Sequence, residues 1–192
     1  MHIILENADF GNILLECKSL RVLKLYGHKL IELPEIVGVL IHLRLLHISD
    51  IEINFLSNSI TKLFNLQTLR IKCLDLIKLP KDLSNLINLR HICIIDCENA
   101  AAPKNIGLLT YFQMFPDFCM GQDDGYQMKE LGPLKNLRGE INTYCLEKVD
   151  DEEEAKSAKL KEKEIFKLGL YWSYDREEDM YYGKDEKVLE GL

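Results

Sequence analysis

Every 23 residues the chain returns to the same six-residue phrase. LRVLKL begins at Leu20, LRLLHI at Leu43, LQTLRI at Leu66 and LRHICI at Leu89, and Phe112 keeps the interval once more. Positions one, four and six of each phrase are Leu or Ile. Alternation over the last three positions is the signature of a strand buried on one face. A unit this short cannot bury that face alone and has to stack on a copy of itself. The chain is therefore constrained to a repeat architecture, whose natural functional element is a continuous surface rather than a closed pocket.

The rest of each repeat has its own phase. LPEIVGVLIHL from Leu33, FLSNSITKLFNL from Phe55, LPKDLSNLINL from Leu79 and APKNIGLLTYF from Ala102 occupy equivalent places. Pro34, Pro80 and Pro103 share one slot, which Ser57 fills in the remaining repeat. Proline fixes φ and lacks an N–H, so this slot predicts a bend outside any ladder. Val37, Ile60, Leu83 and Ile106 follow in phase, then Leu40, Leu63, Leu86 and Leu109, predicting short helical or 3-10 turns with one sealed side. Asn65 and Asn88 precede the next strand, where their amides can satisfy backbone groups of a turn. The L-x-x-L-x-L phrase and its period are those of a leucine-rich repeat. They predict an α/β solenoid, or horseshoe, with an inner parallel sheet and short helices or turns on the outer face.

The phase weakens after Phe112 and resumes late, at Leu137 in KNLRGEINT. The expected organisation is a partial repeat over 1–19, regular repeats over 20–118, and irregular repeats with loops and an acidic helix over 119–192. Gly121, Asp123, Asp124 and Gly125 mark an exposed loop, and Met128, Leu131 and Leu134 a short helical face. Asp150 or Asp151 is the expected N-cap of a helix over about 152–164, supported by a Glu152–Lys156 pair. Ile165, Leu168 and Leu170 then fit one more inner strand. The polar stretch SYDREEDMYYGKDEK reads as a loop, and KVLEGL as a helix beginning. Ile13 and Leu14 are the candidate packing residues of the first partial repeat. Neither end carries a polar cap, so the chain is expected to be a piece of a longer protein.

Net charge is −7, and the excess acid lies in the second half: residues 1–100 hold 11 basic and 11 acidic side chains, residues 101–192 hold 13 and 20. That balance gives no support to nucleic-acid binding. The start MHIILENADFG lacks a signal-peptide pattern, and no apolar run approaches the roughly 20 residues of a membrane span. A cytoplasmic protein with free thiols is the expectation for Cys17, Cys73, Cys93, Cys97, Cys119 and Cys145. His91, Cys93 and Cys97 fall short of the four ligands of a closed zinc site. A nucleophile built from Cys93, His91 and Asp96 would sit on adjacent strand positions that do not converge. Cys17, Cys73 and Cys145 read as small apolar fillers. The chain is expected not to be an enzyme, and to hold no metal and no cofactor.

Phrases such as CKSLRVLKLYG at 17–27, ELPEIVGVLIHLRLLHIS at 32–49, SITKLFNLQTLRIKC at 59–73 and LPKDLSNLINLRHI at 79–92 have a family look. IGLLTYFQMFPDFCMG at 106–121 continues it, and ELGPLKNLRGEINTYCLEKVDDEEEAKSAKLKEKEIFKLGLYWS at 130–173 is the most specific block. Together they resemble the leucine-rich repeat region of plant nucleotide-binding disease resistance proteins of the coiled-coil type. The resemblance implies a protein-interaction scaffold that contributes to sensing pathogen effectors and to holding the receptor off. Partners so implied are the receptor's own nucleotide-binding domain and a pathogen effector or guarded host protein. ADP or ATP belongs to the full-length relatives, since this chain has no G-x-x-x-x-G-K-[ST] phosphate loop. A generic repeat scaffold in another pathway, or a truncated receptor copy without signalling activity, is the alternative.

The inner strands offer a candidate protein-binding surface. Positions between the buried ones place Lys24, His47 and Arg70 in one column, with Tyr26 and Lys72 beside it and His91 on the next strand. Arg21, Arg44 and Arg90 recur at the strand edge. Together they predict a basic stripe for an acidic partner, although a solenoid also needs polar residues on its solvated sheet face. The acidic run at 150–154 is a second, weaker surface, more simply a solvated cap.

Overall fold

The computed structural model describes residues 2–4, 10–27, 33–49, 53, 55–72, 79–95, 103–115, 117–173 and 182–192. They fall into two compact units, Met1–Pro103 and Lys104–Leu192.

In the first unit, β1 (His2–Ile4), β2 (Val22–Tyr26), β3 (Leu45–Ser49), β4 (Thr68–Lys72) and β5 (His91–Ile95) form one parallel sheet in chain order. From β2 onward each strand lies 23 residues beyond its neighbour: Lys24 is opposite His47, His47 opposite Arg70, and Arg70 opposite Cys93. Leu23, Leu25, Leu43, Leu46, Ile48, Leu66, Leu69, Ile71, Leu89 and Ile92 are fully buried, as their positions in the phrase require. Leu20 and Ile94, expected beside them, are only half-buried. Helix α1 (Phe10–Glu16) buries Leu14 but leaves Ile13 39% exposed. Consecutive residues on a helix point about 100° apart, so both could not serve one core.

The return segments are 3-10 turns at Glu35–Val39, Asn58–Lys62 and Leu83–Asn85. Val37, Leu40, Ile60, Leu63, Leu83 and Leu86 are fully buried beneath them. The Asn65 side-chain amide donates to the Ile41 carbonyl at 2.8 Å, and that of Asn88 to the Phe64 carbonyl at 2.7 Å. Each bond reaches back one repeat and satisfies a carbonyl that the turn itself leaves open. Ser57 stands in the proline slot with φ −60° and ψ 146°, close to the φ −59° and ψ 140° of Pro34. Its hydroxyl accepts from the Ser59 N–H at 3.1 Å and donates to Glu35 of the preceding repeat.

The second unit holds a separate parallel sheet of β6 (Asp117–Cys119), β7 (Arg138–Tyr144) and β8 (Glu164–Leu170). Here the period lengthens: Asp117 is opposite Asn142, and Arg138 opposite Glu164. 3-10 turns occupy Ile106–Leu108, Met128–Leu131, Leu146–Lys148 and Leu160–Glu162. Met128, Leu131 and Leu134 are buried, as expected of a short helical face. Asn136 repeats the asparagine bond, donating to the Thr110 carbonyl at 2.8 Å.

Three expectations are corrected here. The helix expected over 152–164 is α2 (Glu152–Ser157), because Lys159 takes the left-handed conformation, φ 52°, and starts a new turn. Of the loop expected before KVLEGL, residues 174–181 lie outside the described set, and α3 already begins at Tyr182 and runs to Gly191. Gly191 lies against α2, where a Cβ would stand 2.6 Å from the Glu152 carbonyl. The inner set Ile165, Leu168 and Leu170 is not buried: Leu168 is 40% exposed and the other two are half-buried. A bulge opposite Gly139 and Glu140 leaves Phe166 unpaired and 83% exposed, and β8 is the last strand of its sheet. Asp96, Cys97, Cys73 and Pro116, weighed in the sequence, lie outside the described residues.

Candidate partner-binding face

A parallel sheet with one buried side presents alternate side chains to solvent in rows across the strands. On the first unit the central row is Lys24, His47, Arg70 and Cys93. It contains the three residues placed in one column from the sequence. A second row runs Tyr26, Ser49, Lys72 and Ile95, with Ser49 buried. A third runs Val22, Leu45, Thr68 and His91. Arg70 and Lys72 are exposed, whereas Lys24, Tyr26, His47 and His91 are half-buried.

Contacts across the strands hold this face in place. The Tyr26 hydroxyl lies 3.3 Å from His47 Nδ1, and the two rings meet edge to face with centroids 5.4 Å apart. Thr68 Oγ1 lies 3.4 Å from His91 Nδ1. Half-buried Tyr26, His47 and His91 therefore share this face with exposed Arg70 and Lys72.

Arg21, Arg44 and Arg90 line the N-terminal edge of the strands, all exposed. A backbone ladder aligns them: the Arg44 N–H donates to the Arg21 carbonyl at 2.8 Å, Gln67 to Arg44 at 2.8 Å, and Arg90 to Gln67 at 2.9 Å. Gln67 interrupts the arginine set.

The face of the second unit has other chemistry. Asp117 Oδ1 accepts from Asn142 Nδ2 at 3.1 Å and from the Tyr144 hydroxyl at 3.3 Å. Burial and the adjacent Asp117 charge raise the Tyr144 phenol above its ordinary value. Tyr144 stacks on Tyr171 with centroids 4.6 Å apart and planes 13° apart. Lys167 pairs with Glu140 at 2.7 Å, and the carboxylate raises the lysine's pKa. The late return at Leu137 signals the longer interval, but which side chains meet across these strands follows only from their pairing 25 to 27 residues apart.

The acidic run is occupied by its own helix. Asp151 is the N-cap of α2 and accepts from the Glu154 N–H at 2.8 Å. Glu152 and Glu153 pair with Lys156 at 2.7 and 3.1 Å. Glu154 accepts from the Asp150 N–H at 2.7 Å and the Met128 N–H at 3.3 Å, joining α2 to the preceding turn.

Among the described residues, no three His, Cys, Asp or Glu side chains come together where they could hold a metal. A shallow recess beside Leu33, Phe55 and Leu56 contains Glu35 and Ser57, which are bonded to each other. No helix among the described residues is long and apolar enough to cross a membrane.

Parallel strands at a repeating interval, 3-10 returns and a solvated sheet face define a protein-interaction scaffold of the leucine-rich repeat class. The leucine-rich repeat region model matches residues 3–169, and the chain belongs to that family. Among the curated proteins it is similar to are three from Solanum bulbocastanum. RGA1 is 43% identical over 177 residues, 91% of this chain and 18% of the relative. RGA4 is 38% identical over 102 residues, 53% of this chain and 10% of the relative. RGA2 is 37% identical over 87 residues, 45% of this chain and 9% of the relative. All three are described as disease resistance proteins. The chain spans less than a fifth of their lengths and is a leucine-rich repeat region of the kind they carry. In fold it is similar to a leucine-rich repeat protein of Leptospira interrogans, with TM-score 0.64 at 20% identity, covering 88% of this chain and 43% of the other.

Proposed function

We propose that this chain is a non-enzymatic recognition and regulatory scaffold of a plant immune receptor, acting in the cytoplasm. The observation that carries the reading is the row of Lys24, His47 and Arg70, brought into register within a region similar to plant disease resistance proteins. With Arg21, Tyr26, Arg44, Lys72, Arg90 and His91 around it, the row offers positive charge on a surface stiffened by cross-strand contacts. Such a surface suits an acidic protein patch, since complementary charge steers encounter and fixes orientation. Two acidic partners fit: the receptor's own nucleotide-binding domain, which the contact would hold off, and a pathogen effector or guarded host protein. Nucleotide is bound by that domain and not by the repeats.

The test is titration calorimetry of this chain against the nucleotide-binding domain of an RGA-type receptor. The double reversal Lys24→Glu and Arg70→Glu should weaken binding at least about tenfold, equivalent to about 1.4 kcal/mol. Unchanged affinity in a variant with an unchanged circular dichroism spectrum would rule out this face as the contact.

A further inference from the structure

Cys119 closes β6, and Cys145 follows the last residue of β7. The register sets Cys119 opposite Tyr144, and the Met120 N–H donates to the Tyr144 carbonyl at 3.0 Å. The backbone on both sides of the thiols is therefore pinned. Cys145 takes the left-handed conformation, φ 61°, at the start of the Leu146–Lys148 turn, and this carries its side chain back toward β6. The two Sγ atoms lie 2.9 Å apart. A disulfide needs about 2.05 Å, so an approach of less than about 1 Å completes the bond. Both residues are half-buried rather than sealed in the core.

We propose that Cys119 and Cys145 are a peroxide-sensitive thiol pair that closes into a reversible disulfide, clasping two successive repeats of the second unit. The reaction needs a peroxide as oxidant. The Cys145 thiolate attacks one peroxide oxygen and the O–O bond breaks, giving a Cys145 sulfenic acid and hydroxide, which takes up the proton lost by the Cys145 thiol and becomes the first water. Cys119 sulfur then attacks Cys145 sulfur and displaces hydroxide, which takes the Cys119 proton and leaves as a second water. Two thiols lose two hydrogens and one peroxide becomes two waters.

Burial, followed by the hydrogen bond with Cys145, pushes the Cys119 thiol up to about 12, so Cys119 keeps its proton until the second step. The Lys148 ammonium donates to the Met120 carbonyl at 3.2 Å, and its positive charge offsets part of that rise. The sequence concealed the pair because its members are 26 residues apart, outside the regular period.

The test is a peptide map of the folded, reduced chain titrated with hydrogen peroxide and then blocked with an alkylating reagent. Trypsin releases Cys119 in residues 105–129 and Cys145 in residues 139–148. The expected result is a cross-link between these two peptides, reversed by dithiothreitol, at peroxide doses that leave Cys17 and Cys93 alkylated. Cys119→Ser should trap sulfenic acid on Cys145, detected by a dimedone adduct, with no cross-link. Oxidation of Cys17 or Cys93 before any 119–145 cross-link in the wild-type chain overturns the proposal, whether or not the serine variant folds. So does a dominant cross-link to any other cysteine.

Discussion

Ser57 allows two stabilising strategies to be weighed at one position. Its hydroxyl caps the Asn58–Lys62 turn and bonds Glu35 of the preceding repeat, and the side chain is only 8% exposed. Ser57→Ala removes both bonds, together with the 3.1 Å contact to the Ser59 hydroxyl. Loss of an N-cap costs about 1 kcal/mol, with a range of about 0.5–2. Losing the bond to Glu35 moves the expected value toward about 1–2 kcal/mol. Ser57→Pro loses the same bonds, but Ser57 already has the backbone of Pro34, with φ −60° against −59°. Proline therefore enters without strain and restricts the unfolded chain, returning about 0.4–1 kcal/mol. The expected order of stability is wild type, then Ser57→Pro, then Ser57→Ala. Urea titration of the three proteins at equal m-values reads that order directly. An alanine variant within about 0.3 kcal/mol of wild type would show that the hydroxyl bonds contribute nothing net. A proline variant less stable than alanine would refute the equivalence of the Ser57 and Pro34 slots.

Two further perturbations act on the second unit. A Cβ at Gly132 would stand 2.4 Å from the Ser157 carbonyl, so Gly132→Ala should cost at least about 1–3 kcal/mol and lower the melting temperature. An unchanged melt would mean that the two segments separate freely. For Glu147, burial opposes ionisation, but the hydrogen bonds from the Ser173 hydroxyl and N–H prevail and hold its pKa below the ordinary value. A carboxylate with a lowered folded pKa stabilises fully above its unfolded value, and that contribution is lost as pH falls through the folded one. Glu147→Gln should thus be less stable than wild type near neutrality, and the difference should shrink in acid below about pH 4.5. Parallel stability curves for the two proteins across that interval would contradict the assignment.

The regular repeats were legible because one period governs both strand and return. Leu23, Leu46, Leu69 and Ile92 had to be buried together, and they are. The limits of legibility have local causes. Lys159 ends a helix by adopting a left-handed backbone that its residue type does not favour. The bulge at Phe166 shifts the pairing by one residue, exposing side chains that the leucine phrase would place inside. The basic row followed from the period, whereas the Asp117, Asn142 and Tyr144 cluster depends on the register of β6 against β7, which the weakened phrase around Phe112 does not mark.

The asparagine bonds bear on how such a protein can change. Asn65, Asn88 and Asn136 donate to the backbone carbonyls of Ile41, Phe64 and Thr110, three residues of different type. The bond reads only the backbone of the earlier repeat. This part of the junction therefore tolerates a change of side chain at the acceptor position, whereas the Ser57–Glu35 bond ties its two repeats by their side chains. Substitutions among the solvent-facing strand residues leave these junctions intact. Recognition and assembly are written in separate letters of the same repeat, and the first can be revised while the second is kept.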